Sequence, residues 1–178
     1  IVVDEVLSET KDFNEFGNMV VEVEIEATVY RHRKSADPTF LLRVDGIDEV
    51  YQNEDLLQFT VAPTQDAFLK IFNITEESTS VLYPYSSKEN PQYNDKTGQL
   101  FKANEAVQLP LHPAYSDGYY LEVDTPGKDR EFNILLFVFT KQDIPFIEDP
   151  TFNNVMKWIY SISPDERVMA QEGFVIKR

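Results

Sequence analysis

Residues Phe132 to Thr140 read Phe-Asn-Ile-Leu-Leu-Phe-Val-Phe-Thr, an almost unbroken apolar run. The run is too short for most buried helices, is rich in β-forming side chains and has no polar face. It predicts a central strand covered on both sides, and so a fold thick enough to bury it. With 178 residues the chain has the length for such a core in one compact domain, with or without a short appendage. Its 42% hydrophobic and 13% aromatic content excludes a disordered, collagen-like or coiled-coil chain.

The other strands show a period of two. In Met19 to Tyr30, Val21, Val23, Ile25, Ala27 and Val29 fall on one face and Glu22, Glu24, Glu26 and Thr28 on the other, which predicts a half-buried strand with a wet glutamate face. Strands are expected at Thr39 to Val44, Leu57 to Val61, Phe68 to Ile74, Val81 to Tyr83, Ala106 to Leu111, Tyr119 to Val123 and Gly173 to Ile176. Pro110 suits an edge, and Pro126-Gly127 fits the centre of a type II turn. The segment before Phe16-Gly17-Asn18 is mixed and acidic, and Ser86 to Lys102 is irregular and polar.

One helix is expected after Asp149-Pro150, with Asp149 as its cap and Pro150 at its first position. Phe152, Val155, Met156 and Ile159 form its apolar stripe, which must dock because so short a helix is marginal alone. The expected fold is therefore all-β: a β-sandwich of roughly eight strands, immunoglobulin-like topology among those open to it, with one C-terminal helix. Residues 1–37 read as an N-terminal segment with one strand, the end of a neighbouring module, and residues 38–178 as the sandwich with its helix and tail. Phe68, Ile71, Phe72, Leu82, Phe132, Ile134, Leu136 and Val138 are its core candidates. The chain begins with Ile rather than Met, which reads as a piece of a longer protein.

Charge narrows the partners. There are 31 acidic against 16 basic side chains, a net charge of −15. Nucleic acid and anionic membrane surfaces both require clustered Lys and Arg, and the only dense basic run is Arg31-His32-Arg33-Lys34. The longest apolar run is far short of the ~20 residues of a spanning helix, so no membrane insertion is expected.

The chemistry of sites is sparse. The chain has no cysteine and two histidines, which leaves no thiolate nucleophile, no Cys-based metal site and little for a Ser-His-acid triad. His112, near Ser116 and Asp117, has no nucleophile elbow beside it. Asp45, Asp48, Glu49, Asn53, Glu54 and Asp55 could ligate calcium but lack the EF-hand spacing; in a chain this acidic such clusters arise by chance, and no metal or cofactor is assigned. Asn73-Ile74-Thr75 matches a glycosylation acceptor but lies within an expected strand. Tyrosines stand out instead. Tyr83, Tyr85 and Tyr93 flank the long polar loop, and Tyr115 and Tyr119 flank a second one. Such rings can anchor a protein or stack on a sugar, and they can equally close the ends of strands.

Phe68-Leu69-Lys70-Ile71-Phe72-Asn73-Ile74 followed by Val81-Leu82-Tyr83-Pro84 resembles a bacterial domain family of unknown function. Leu100-Phe101, Val107 to Pro110 and Asn133 to Thr140 continue the likeness, which covers about Pro38 to Phe146. The resemblance implies a β-sandwich in an exported, envelope-associated protein, periplasmic or surface-exposed, beside other modules of the same chain. It brings no catalytic residues. The expected function is therefore a non-enzymatic binding or spacer module for a protein or glycan partner, with Tyr83, Tyr85, Tyr93, Tyr115 and Tyr119 as contacts. The competing readings are a carboxylate-based hydrolase, which needs a pocket with two facing carboxylates, and an inert scaffold domain.

The acidic excess makes one direct prediction. No association with DNA or RNA should appear in a polarisation titration at physiological salt, because approaching phosphates meet a repulsive field. A salt-sensitive micromolar complex would contradict it.

Overall fold

The computed structural model describes residues 1–111, 117–123 and 125–178. It is all-β and sandwich-like, with one α-helix near its C-terminal end. The strands are β1 Val2–Phe13, β2 Met19–Thr28, β3 Leu42–Asp45, β4 Val50–Gln52, β5 Leu56–Leu57, β6 Phe59–Pro63, β7 Ala67–Ile74, β8 Thr79–Tyr83, β9 Leu100–Phe101, β10 Val107–Leu109, β11 Tyr119–Tyr120, β12 Arg130–Thr140 and β13 Arg167–Lys177. The helix α1 is Phe152–Ser161.

The larger sheet runs in the order β4-β13-β12-β7-β8, with β9 also pairing β7. A three-stranded sheet, β10-β6-β3, covers one of its faces. β12 sits between its two longest partners, antiparallel to β13 along its whole length and to β7 from Ile134 to Thr140. Its side chains alternate between two cores. Leu135, Phe137 and Phe139 point toward Phe59, Val61 and Leu109 of the small sheet. Leu136 and Val138 point the other way, onto Phe72 and onto Val155 and Ile159 of α1. The absence of a polar face in the sequence is explained by this double cover.

Several strands are longer or more numerous than the sequence patterns suggest. β4, β5 and β9 are two or three residues long, too short to show a period. β13 begins at Arg167, because its exposed and half-buried residues pair along the full length of β12. β1 forms from the segment read as mixed and acidic; bulges at Asp4 and Leu7 break its alternation. β2 is a strand as expected, but its apolar face is not half-buried: Val21, Val23 and Ile25 are exposed. Among the described residues it pairs only with β1. β10 lies at a sheet edge and ends before Pro110, as the missing N–H dictates.

Two expectations about packing need correction. Phe132 is 45% exposed rather than core, because it lies beyond the reach of α1 and covers Gly173, where an added Cβ would stand 3.2 Å from its ring. Phe68, Leu82 and Ile134 are half-buried. The helix starts two residues later than expected: Thr151 caps it, its hydroxyl accepting from the Asn154 N–H at 3.2 Å, while the Asp149 carbonyl takes the Thr151 N–H. Val155 and Ile159 are fully buried and Met156 packs beside them, but Phe152, at the first turn, is exposed.

Burial of one large apolar side chain contributes ~1.5–3 kcal/mol, and a truncation adds the cost of the cavity it leaves. Phe137→Ala should therefore lower the unfolding free energy in urea by ~3–5 kcal/mol, whereas Phe132→Ala should cost about 1 kcal/mol or less. The opposite order would reverse the faces assigned to β12.

Candidate functional site

α1 covers only part of the outer face of the larger sheet. The uncovered part, over β7 and β8, is walled by the 84–99 segment on one side and by residues 143–150 on the other. The result is a cleft of about 610 Å³. Phe68, Val81 and Phe146 supply apolar wall, together with Pro84, Pro145 and Pro150.

Lys70 lies at its floor. Alternation along β7 sends Leu69 and Ile71 into the core and leaves Phe68 and Lys70 on the outer face. The Lys70 side chain is only 12% exposed. Its ammonium stands 3.8 Å from an Asp143 carboxylate oxygen, beyond hydrogen-bond length, and 5.7 Å from the Trp158 ring centroid. Burial pushes the Lys70 ammonium below the ordinary lysine range, and Asp143 opposes the shift without cancelling it. Phe72, Phe146 and Trp158 form an edge-to-face cluster beside it, with centroids 5.2–5.9 Å apart. The Trp158 indole N–H donates to the Pro145 carbonyl and so ties the helix to the cleft wall.

The 84–99 wall owes its shape to its own polar side chains. Asp95 accepts the Tyr85 N–H at 2.8 Å, and the Tyr85 carbonyl takes the Asp95 N–H at 2.9 Å. Asn94 accepts the Ser87 N–H, and the Ser87 hydroxyl accepts from Glu89 and Asn90. This is the turn chemistry of Asp, Asn and Ser. Gly98 has φ +71°, and an added Cβ there would stand 3.0 Å from Asp143, so glycine lets the wall close on that carboxylate.

The five tyrosines do not form one exposed rim. Tyr83 is 2% exposed and packs edge-on against Phe101. Tyr119 stacks on Phe59 at 5.9 Å. Both hydroxyls are buried and have no hydrogen-bond partner among the described residues. Burial, with Asp95 nearby, pushes both phenols well above the usual tyrosine range. These two rings close the core rather than offer themselves to solvent. Tyr85 is half-buried behind its Asp95 pairing. Tyr93 ends a single 3-10 turn, Pro91–Tyr93. Tyr115 and His112 lie outside the described residues.

Two acids of the stretch from Asp45 to Asp55 use their carboxylates locally. Asp45 pairs with Arg43 and Asp55 accepts the Gln52 N–H. Among the described residues no group of three or more His, Cys, Asp or Glu is placed to hold a metal ion. Sequence reading missed Lys70, Asp143 and Trp158, which are far apart in the chain and meet only in the fold. The one available signal was a lysine inside the apolar run Phe68 to Ile74. No protein-family model matches the chain, and no curated protein matches it.

A lysine this buried with an incomplete partner costs stability while it is charged. Its folded pKa lies below its unfolded value, so the penalty is fully present below the folded pKa and fades as pH rises toward the unfolded value of ~10.4. Lys70→Met should thus raise stability at pH 7 by roughly 1 kcal/mol, with the gap to wild type narrowing in alkaline melts. A less stable variant, or a gap independent of pH, would contradict this placement of the ammonium.

Proposed function

We propose that this chain is a non-enzymatic recognition module and that the cleft over β7 and β8 is its contact site. The Lys70 ammonium at the floor of a mainly apolar cleft carries the reading. Concave apolar sites with a few polar groups are where ligands bind, and a buried charge fixes the ligand's orientation. The lining holds Lys70 and Lys96 against one acid, Asp143, so it is net positive within a chain of net charge −15. An occupant with an apolar side chain and a carboxylate fits this pattern. A peptide segment of a protein partner satisfies it better than a neutral glycan does, because a neutral sugar could use the Ser86, Thr97 and Gln99 groups in the lining but would leave the Lys70 charge unanswered. The hydrolase alternative finds less support: among the described lining residues Asp143 is the only acid, with no second carboxylate facing it.

The resemblance of Phe68 to Ile74 and Val81 to Pro84 to an envelope-associated bacterial family supports placing the module in an exported protein, where it binds a partner beside other modules of its chain. That location belongs to the proposal.

Trp158 is the only tryptophan and sits beside Lys70, so its fluorescence reports on the cleft. Short peptides ending in an aromatic residue should change that emission when their C-terminal carboxylate is free. The amidated forms should bind ~10-fold or more weakly, a difference of about 1.4 kcal/mol, and Lys70→Met should erase the distinction. Equal titrations for acid and amide forms would refute the role given to Lys70.

A further inference from the structure

Strands β1 and β2 form a hairpin that pairs with no other strand among the described residues. Its base is fixed to α1: Asp4 pairs with Lys157, the Asn153 amide donates to the Asp4 carbonyl at 3.3 Å, and Val2 is buried. Beyond that base the hairpin is two-faced. Cross-strand partners share a face, so one face carries the rows Val6–Ile25, Glu9–Val23, Lys11–Val21 and Phe13–Met19. The other carries Glu5–Glu26, Ser8–Glu24, Thr10–Glu22 and Asp12–Val20. The first face is apolar, yet Val6, Phe13, Met19, Val21, Val23 and Ile25 are each 44–70% exposed. A two-stranded hairpin is marginal in water by itself, and an uncovered apolar face of this length marks an interface.

We infer that the cover is the same face of a second copy of this chain. The charges point there. All the unpaired acids of the hairpin rows lie on the opposite face, while the apolar face holds one glutamate and one lysine, Glu9 and Lys11, paired at 2.7 Å. Its own charge is zero in a chain of −15. The rows are also self-complementary. A two-fold axis between the Glu9 and Lys11 rows brings each Lys11 opposite the other copy's Glu9. The same operation brings each Val6–Ile25 row onto the other copy's Phe13–Met19 row. A single patch that matches itself under a two-fold axis is what an isologous dimer requires. The overlap spans ~24 Å of two strands, on the order of 400 Å² of each copy. That is about half the ~800 Å² per partner of a standard interface, so the dimer is weak and concentration-dependent.

Sedimentation velocity over roughly 5–500 µM should show a monomer–dimer equilibrium, in line with so small an interface. Glu9→Lys and Lys11→Glu should each weaken it ~10-fold or more, because like charges then face each other. The double variant Glu9→Lys/Lys11→Glu should restore dimerisation, since opposite charges again meet across the axis. All are exposed positions, so unchanged near-ultraviolet dichroism should confirm that the body stays folded. A monomer at every concentration, single variants that dimerise like wild type, or a double variant that stays monomeric would each overturn the inference.

Discussion

Everything in this molecule is arranged around the double burial of β12. One strand feeds two cores, Leu135, Phe137 and Phe139 into the sandwich and Leu136 and Val138 beneath α1. The hydrophobic effect acts on both faces at once, which makes the position of β12 the least negotiable in the fold. Its neighbours follow from that demand. β13 and β7 satisfy its backbone on either side, the small sheet closes one face and the helix the other. Because α1 has only ten residues, it cannot cover the whole outer face. The cleft over β7 and β8 is what that shortfall leaves.

The cleft shows how a single polar residue on a buried surface acquires meaning. Lys70 occupies an outward position in β7, as a surface lysine would, but the 143–150 segment and Trp158 fold over it. Desolvation then works against its charge, and Asp143 stands slightly too far away to offset it fully. A carboxylate entering from solvent would supply the missing interaction. The proposed recognition role rests on this imbalance rather than on any exposed aromatic rim. Tyr83 and Tyr119 spend their rings inside the core.

Much of the fold was legible because it depends on local pattern. Phe132 to Thr140 announced a doubly covered strand, Val155 and Ile159 a docked helix, and Pro110 an edge. Burial of individual residues was less legible where cover comes from elsewhere in the chain. Phe132 has the same character as Phe137, but Phe137 faces the small sheet while Phe132 faces the helix side, where it lies beyond the end of α1. Bulges at Asp4 and Leu7 hid β1, since each extra residue reverses the alternation. The period of two in β2 was visible, but periodicity shows that a strand has an apolar face, not what covers it. The candidate site was hardest to see. Lys70, Asp143 and Trp158 meet through tertiary packing, and no spacing rule links them.

The central claim is that Lys70 carries an under-compensated charge that a ligand carboxylate completes. Direct titration of the lysine ammonium groups by nitrogen-15 NMR tests it, with and without a carboxylate-terminated aromatic peptide. The account predicts that Lys70 loses its proton at a lower pH than the exposed lysines and that the peptide moves this midpoint upward. A Lys70 that titrates with the surface lysines, unmoved by the peptide, would contradict it.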